Sequence, residues 1–451
     1  MTRSSPWLAV VGLLLVCLGG CSSTPTLMPT PNLYAWSADD PFADVPPELQ
    51  NNHVDVLYLT DRAPENDAAG NLTYGYKRSR AVAVGKARVQ FGKDMSWEQL
   101  VKASRSAKRS EPIEVTLTQT TELVRFPPTP KALIELPEQA GMAVTRPTTN
   151  PTTLRAEIDK DTQIALAALS EQLAKTPVKE VYVFIHGYNN SFQDSVATIA
   201  ELWHFLGRRG VPIAYSWPAG ATGLLRGYNY DFMSSQFTVF HLKQMLRIIA
   251  ACPDVRKIHL IAHSRGTDVL CTALRELHLE ISGGTSGDLP NGHNKTRDEL
   301  KLGTVVLAAP DIDLDVVIQR MVTVRLGRIP ERTALYICSK DEALGLSSWL
   351  FGTTRLGRIN AGMFTEEELA ALRESRSAEV IDAKISNPGA FGHDYFHSSP
   401  AVSSDLILLM RYQRRPGAEY GRPLGRSGKG FWEIDDHYPG KPPEAPQAAS
   451  Q

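Results

Sequence analysis

The stretch Lys257-Ile258-His259-Leu260-Ile261-Ala262-His263-Ser264-Arg265-Gly266-Thr267-Asp268-Val269-Leu270 constrains this chain more than any other. A short apolar run stops at a serine set between small residues, and Val269, Leu270, Ala273, Leu274 and Leu277 then recur at helical spacing. The pattern predicts a strand, a sharp turn and a helix. A serine hydroxyl attacks a carbonyl only when a base takes its proton and its oxygen stands clear of the backbone. A tight strand-to-helix turn presents it in that way and crowds the flanking positions, which is the reason for the G-x-S-x-G pattern. Here Ala262 adds one methyl group at the first small position, and Gly266 keeps the second. The same turn aims the amide of Arg265 and the N-terminus of the following helix at a developing oxyanion. The competing reading makes Ser264 a plain helix cap.

The N-terminus carries the next signal. Arg3 precedes an apolar stretch from Trp7 to Val16 that is short for a membrane span and suits a secretory leader. It ends in Leu18-Gly19-Gly20-Cys21, which resembles a bacterial lipobox. That resemblance implies that Cys21 is acylated as the first mature residue, each buried methylene contributing about 0.8 kcal/mol to membrane attachment. Ser22 after it, rather than aspartate, implies sorting to an outer membrane of the cell envelope, facing the periplasm. An ordinary cleaved signal peptide is the alternative. Beyond this region only Cys252, Cys271 and Cys338 remain, an odd set without C-x-x-C spacing. They read as buried free thiols rather than a disulfide framework.

With 451 residues the chain can form one large core with appendages, or two domains. The formal net charge of -1 gives no support to nucleic-acid binding, which needs a basic face. No H-E-x-x-H or other metal-ligand spacing occurs, and no cofactor is expected. Residues 1–21 read as the leader and 22–50, rich in proline, serine and threonine, as a flexible tether. Residues 51–415 read as the folded domain and 416–451 as a disordered tail with a candidate docking patch at Phe431-Trp432. Within the domain, strand patterns at 54–60, 74–80, 87–91 and 113–117 predict an antiparallel edge, with a polar loop over 61–71. A helix is expected over 154–174, and apolar strands at 181–185, 213–217, 304–308, 334–338 and 379–383 then alternate with helices. This predicts an α/β fold: a mostly parallel central sheet with helices on both faces and an antiparallel N-terminal edge.

In such sheets ligands gather where the strands end, so the residues after each strand are the candidates. After Ile185 comes His186-Gly187-Tyr188-Asn189-Asn190, where a glycine turn can offer the Tyr188 amide as the second oxyanion donor beside Arg265. A base histidine needs a carboxylate to hold its tautomer. Asp341, after the strand ending at Cys338, fits first, and Asp311, in an acid-rich loop after the previous strand, fits second. For the base itself, Gly392-His393 suits a loop delivering an imidazole over the sheet edge, and His397 is the alternative. His186 and His263 read as structural. The segment Tyr215 to Asp231, with Trp217, Leu224, Leu225, Tyr228 and Tyr230, is expected as a loop ahead of a helix around 234–250, and reads either as an aromatic wall or lid over an acyl pocket or as core.

Taken together, Tyr74-Gly75 with Arg78-Ser79, Ile185-His186-Gly187-Tyr188-Asn189, Ser216-Trp217-Pro218, Ala262-His263-Ser264-Arg265-Gly266, Ala309-Pro310-Asp311-Ile312-Asp313 and Gly392-His393-Asp394-Tyr395-Phe396 resemble a bacterial α/β-hydrolase family catalogued as a domain of unknown function. The resemblance covers about residues 54–413 and implies a serine-hydrolase fold without a substrate. The expectation is a lipid-anchored hydrolase of ester or other acyl bonds in a small-molecule or lipid acyl substrate, using Ser264, His393 and Asp341. A catalytically silent envelope protein and an amidase or peptidase are the alternatives.

Overall fold

The structure, a computed structural model, describes residues 25–36, 40–129, 151–283, 294–375, 378–386, 392–427 and 430–440. The predicted leader and Cys21 lie outside these residues. Among the described residues eleven strands form one sheet: β1 (His53–Asn66), β2 (Leu72–Phe91), β3 (Val115–Arg125), β4 (Glu180–Ile185), β5 (Val211–Ser216), β6 (Lys257–His263), β7 (Leu302–Ala308), β8 (Arg332–Ile337), β9 (Glu379–Ala383), β10 (Gly425–Arg426) and β11 (Trp432–Ile434). Their spatial order is β10-β11-β9-β8-β7-β6-β4-β5-β1-β2-β3. From β11 to β1 the neighbours are parallel, whereas β1, β2 and β3 pair antiparallel.

The continuous apolar runs become the central strands because both of their faces are covered. Val181, Val183 and Ile185 of β4 join one core with α1 (Pro151–Ala174), α3 (Leu224–Ala251) and α4 (Gly266–Ser282). Tyr182 and Phe184 face the other core, with α2 (Phe192–Phe205) and a C-terminal helix (Pro400–Met410). The start of α2 is fixed by a capping box in which Ser191 and Asp194 satisfy each other's backbone amides. From β4 the chain moves outward to β5 and then crosses back to β6, so the strand order reverses between β4 and β6. Their C-terminal ends flank the crevice where ligands bind in sheets of this type.

Four expectations are corrected. The segment read as a tether is part of the folded body over 25–36 and 40–50: Thr26 bridges Glu114, the Leu27 amide donates to the Ile113 carbonyl at 2.7 Å, and Met28, Tyr34, Phe42 and Val45 are buried. These apolar residues are too irregularly spaced to register as a period, yet they fill grooves made by distant segments. The tail read as disordered also joins the sheet over 416–427 and 430–440. There β11 pairs parallel to β9, Phe431 is buried, and Arg422 is clamped between Asp405 at 2.7 Å and Glu379 at 2.5 Å. A three-residue strand among glycines and prolines carries no periodic signal. The predicted loop 61–71 begins only after Asn66, because β1 continues through register shifts around Arg62. Finally, α3 starts at Leu224, so the second half of the 215–231 segment is helical. Cys252, Cys271 and Cys338 are free and buried, and among the described residues no helix is long and apolar enough to cross a membrane.

Candidate active site

Ser264 follows β6 directly and adopts a left-handed backbone, φ +52°. For a residue with a side chain this conformation costs on the order of 1–3 kcal/mol and persists only where its surroundings enforce it. They do so here: the Ser264 amide donates to the Ala308 carbonyl at 3.0 Å, and the Ser264 carbonyl accepts from Thr267 Oγ1 at 2.6 Å. The small flanking residues have a direct steric cause. A β-carbon on Gly266 would fall 2.3 Å from the His186 carbonyl oxygen and 2.5 Å from that of Ile185. Ala262 is fully buried between its register partners Ile185 on β4 and Leu307 on β7.

Asp341 lies in the turn after β8, is fully buried, and accepts the Leu344 amide at Oδ1 (2.8 Å). Its Oδ2 lies 2.7 Å from His393 Nδ1. This leaves Nδ1 protonated and Nε2 available as an acceptor. Burial pushes the His393 imidazole down, but the hydrogen bond and charge of Asp341, helped by Asp394 and Asp311, outweigh it and hold its pKa above the ordinary value. His393 rests against the residue preceding Ser264: the rings of His263 and His393 are 4.7 Å apart, and His263 Nε2 donates to the His393 carbonyl at 3.2 Å. No hydrogen bond joins Ser264 Oγ to His393 in this structure. His263 is held neutral, its pKa pushed to about 3 by burial and then by the neighbouring His393. His397 is elsewhere, paired with the buried Glu201 of α2.

Asp311 is engaged away from His393. It accepts from Arg265 Nη2 at 2.6 Å and from Ser347 Oγ at 2.9 Å, and it lies 3.3 Å from Arg355 Nε. The Arg265 side chain is thereby pinned under Tyr228, whose hydroxyl it meets at 2.8 Å. Tyr228 in turn packs on Tyr188 and on Phe351, with ring centroids 5.2 and 5.3 Å apart. An aromatic wall thus runs from the His186–Asn190 loop to α5 (Glu342–Phe351). It opens onto Trp349 and Phe351, which are 67% and 40% exposed. Tyr215 and Trp217, from the same segment as Tyr228, are core instead.

The loop after β4 is held from outside the sequence motifs, chiefly by Arg62. Arg62 is almost completely buried. It donates to the carbonyls of Asn190 (2.7 Å), Ala219 (2.8 Å) and Gly75 (3.1 Å) and to Ser216 Oγ (2.9 Å), and its Nη2 lies 3.2 Å from His186 Nε2. Burial lowers its pKa to about 10, with Asp61 and Asp231 acting against that shift. His186 stacks on Trp217 at 5.0 Å and is kept neutral by burial and by Arg62. Asp231 accepts the amides of Asn189 and Gly220, both at 3.0 Å. Arg62 lies in a stretch that reads as a polar loop; its only sequence signal is a charged residue just beyond an apolar strand.

A mostly parallel sheet under two helical layers, with a serine on a left-handed strand-to-helix turn at its switch point, defines an α/β-hydrolase fold. Residues 161–411, more than half of the chain, match the family described as alpha/beta hydrolase of unknown function (DUF900), and the protein belongs to that family. No curated protein matches the chain. Among solved structures, a mutant of the esterase rPPE is similar at 12% identity and a TM-score of 0.21, over 55% of this chain and 76% of that one.

Proposed function

We propose that the protein is a serine hydrolase that cleaves ester or other acyl bonds, with Ser264 as nucleophile, His393 as base and Asp341 as its orienting acid. The observation that carries this reading is the 2.7 Å contact between Asp341 Oδ2 and His393 Nδ1 beside the strained Ser264 turn. Ser264 Oγ attacks the acyl carbon and passes its proton to His393 Nε2, while Asp341 stabilises the imidazolium. The amides of Tyr188 and Arg265, the latter at the N-terminus of α4, hold the oxyanion. Collapse breaks the bond to the leaving group, which takes the proton from His393. Water, deprotonated by the same imidazole, then attacks the acyl-enzyme, and the acid product leaves with Ser264 restored.

Fluorophosphonate labelling of wild type beside Ser264→Ala tests the assignment. Labelling should disappear in the variant, and persistence would remove Ser264 as nucleophile. No labelling of either chain would favour a silent scaffold, and comparing nitrophenyl esters with peptide substrates separates esterase from amidase. We further propose attachment to the outer membrane through acylated Cys21. Incorporation of labelled palmitate should be lost in Cys21→Ala, and incorporation that survives the substitution would refute it.

A further inference from the structure

At the opposite end of the sheet from Ser264 lies a cavity of about 1090 Å³. Its floor is the N-terminal ends of β8 and β9, at Arg332, Thr333, Glu379 and Val380. The six residues of β8 separate it from the Asp341 turn by roughly 20 Å. Five arginines line it, Arg297, Arg328, Arg332, Arg415 and Arg426, against two carboxylates, Glu331 and Glu379. Those carboxylates are already neutralised. Glu331 pairs with Lys257 at 2.6 Å, and Glu379 pairs with Arg422 at 2.5 Å and with Arg332 at 3.4 Å.

Arg297 and Arg328 are engaged in interactions of their own, so the surplus charge is that of Arg415 and Arg426. Arg415 and Arg426 have no carboxylate partner among the described residues, and Arg426 instead lies over the Trp432 ring at 4.8 Å. Burial lowers the pKa of Arg332; Glu379 opposes this, while Arg422 and Arg415 push it lower still. Like charges gathered in one concavity repel one another unless an anion joins them. The planar fork of arginine matches the paired oxygens of a phosphate better than any other side chain does. The volume is far larger than a bare inorganic ion needs and stands at the upper limit of sites for whole small molecules.

We propose that this cavity is a second binding site, separate from the hydrolase centre, for a phosphate-bearing group, presented by an anionic lipid headgroup or by a free phosphorylated molecule. Arg415 and Arg426 supply the uncompensated charge, Arg332 the floor and Trp432 a flat wall.

The test uses the full-length chain carrying Cys21→Ala, so that acylation plays no part. One arm measures sedimentation with phosphatidylcholine vesicles, with and without phosphatidylglycerol. The other measures calorimetric binding of pyrophosphate and glycerol 3-phosphate. The comparison variants are Arg415→Ala with Arg426→Ala, and a control with equal charge loss at the exposed Lys93 and Arg155. Binding in either arm, weakened about tenfold or more by the cavity pair and not by the control, supports the site. The arm that responds identifies the source. No binding in both arms, or equal weakening by the two pairs, overturns the proposal. Because fluorophosphonate labelling reads Ser264 independently, failure here leaves the hydrolase reading standing, and the reverse also holds.

Discussion

A β-carbon placed on Gly187 would lie 2.7 Å from the Cβ of Ser264. The loop after β4 and the turn after β6 therefore touch at a spacing that only glycine permits. Gly187→Ala should push the Tyr188 amide away from the serine, and displacements near 1 Å can cost about a hundredfold in rate. We expect kcat/KM for a nitrophenyl ester to fall by about that factor or more while Tm moves by only a few degrees. Near-wild-type turnover in a folded variant would show that the loop does not serve the serine.

The two carboxylates ranked from sequence should separate cleanly. Asp341→Asn keeps an acceptor for the Leu344 amide but can reverse the proton arrangement at His393, and a loss of roughly 10⁴-fold in kcat is expected with little change in Tm. Asp311→Asn instead removes the charge facing buried Arg265 and Arg355, so the expected cost is about 3–5 kcal/mol of stability, read by denaturant unfolding. A silent Asp341→Asn would transfer the acid role elsewhere.

The pH dependence has a defined sign. The His393 pKa is held above its ordinary value of 6.5, and as the proposed base it must be neutral to accept a proton. The acid limb of kcat/KM should therefore fall away below a midpoint above pH 6.5, and should move to lower pH in Asp341→Asn. His263 is shifted the opposite way, and its shift bears on stability. Its pKa of about 3 when folded lies below the unfolded value of 6.5, so the unfolded chain binds more protons in between. That contribution is complete above pH 6.5 and is lost as pH falls towards 3; His263→Asn should flatten this part of a Tm-against-pH curve.

The C-terminal segment is a structural edge. Truncation after Arg415 removes Arg422 from buried Asp405 and strips β11 from β9. A loss of about 3 kcal/mol or more is expected, with aggregation at the exposed strand edge. Full stability and solubility in the truncated chain would contradict it.

What the sequence shows plainly is what depends on local pattern. The central strands announce themselves through unbroken apolar runs, and Ser264 through the small residues that its crowded turn demands. The HG loop likewise betrays itself by a glycine that the serine's Cβ requires. What stays hidden depends on distant partners. Arg62 reaches Asn190, Ala219 and Gly75 from a position that looks like solvent-facing loop, and nothing within its own stretch signals burial. Leu27, Tyr34 and Phe42 gain their meaning from segments far away in the chain, as Tyr34 does when its hydroxyl meets the Phe205 carbonyl at 2.6 Å. The three residues of β11 acquire a strand only because β9 offers an open edge.

The bridge between Thr26 and Glu114 fixes where the polypeptide joins the body. It lies next to Val115, which pairs with Phe91 where the parallel strands begin, whereas Ser264 lies where they finish. Cys21 precedes Thr26 by five residues (26−21), at most roughly 18 Å of extended chain. An acylated Cys21 would moor the molecule by its underside, and a spin label at position 349 on the aromatic rim should then report water, not hydrocarbon. The mouth of the enzyme would look outward into the surrounding compartment, so its natural reactant would arrive by diffusion from the aqueous side, not by sliding out of the leaflet that carries it.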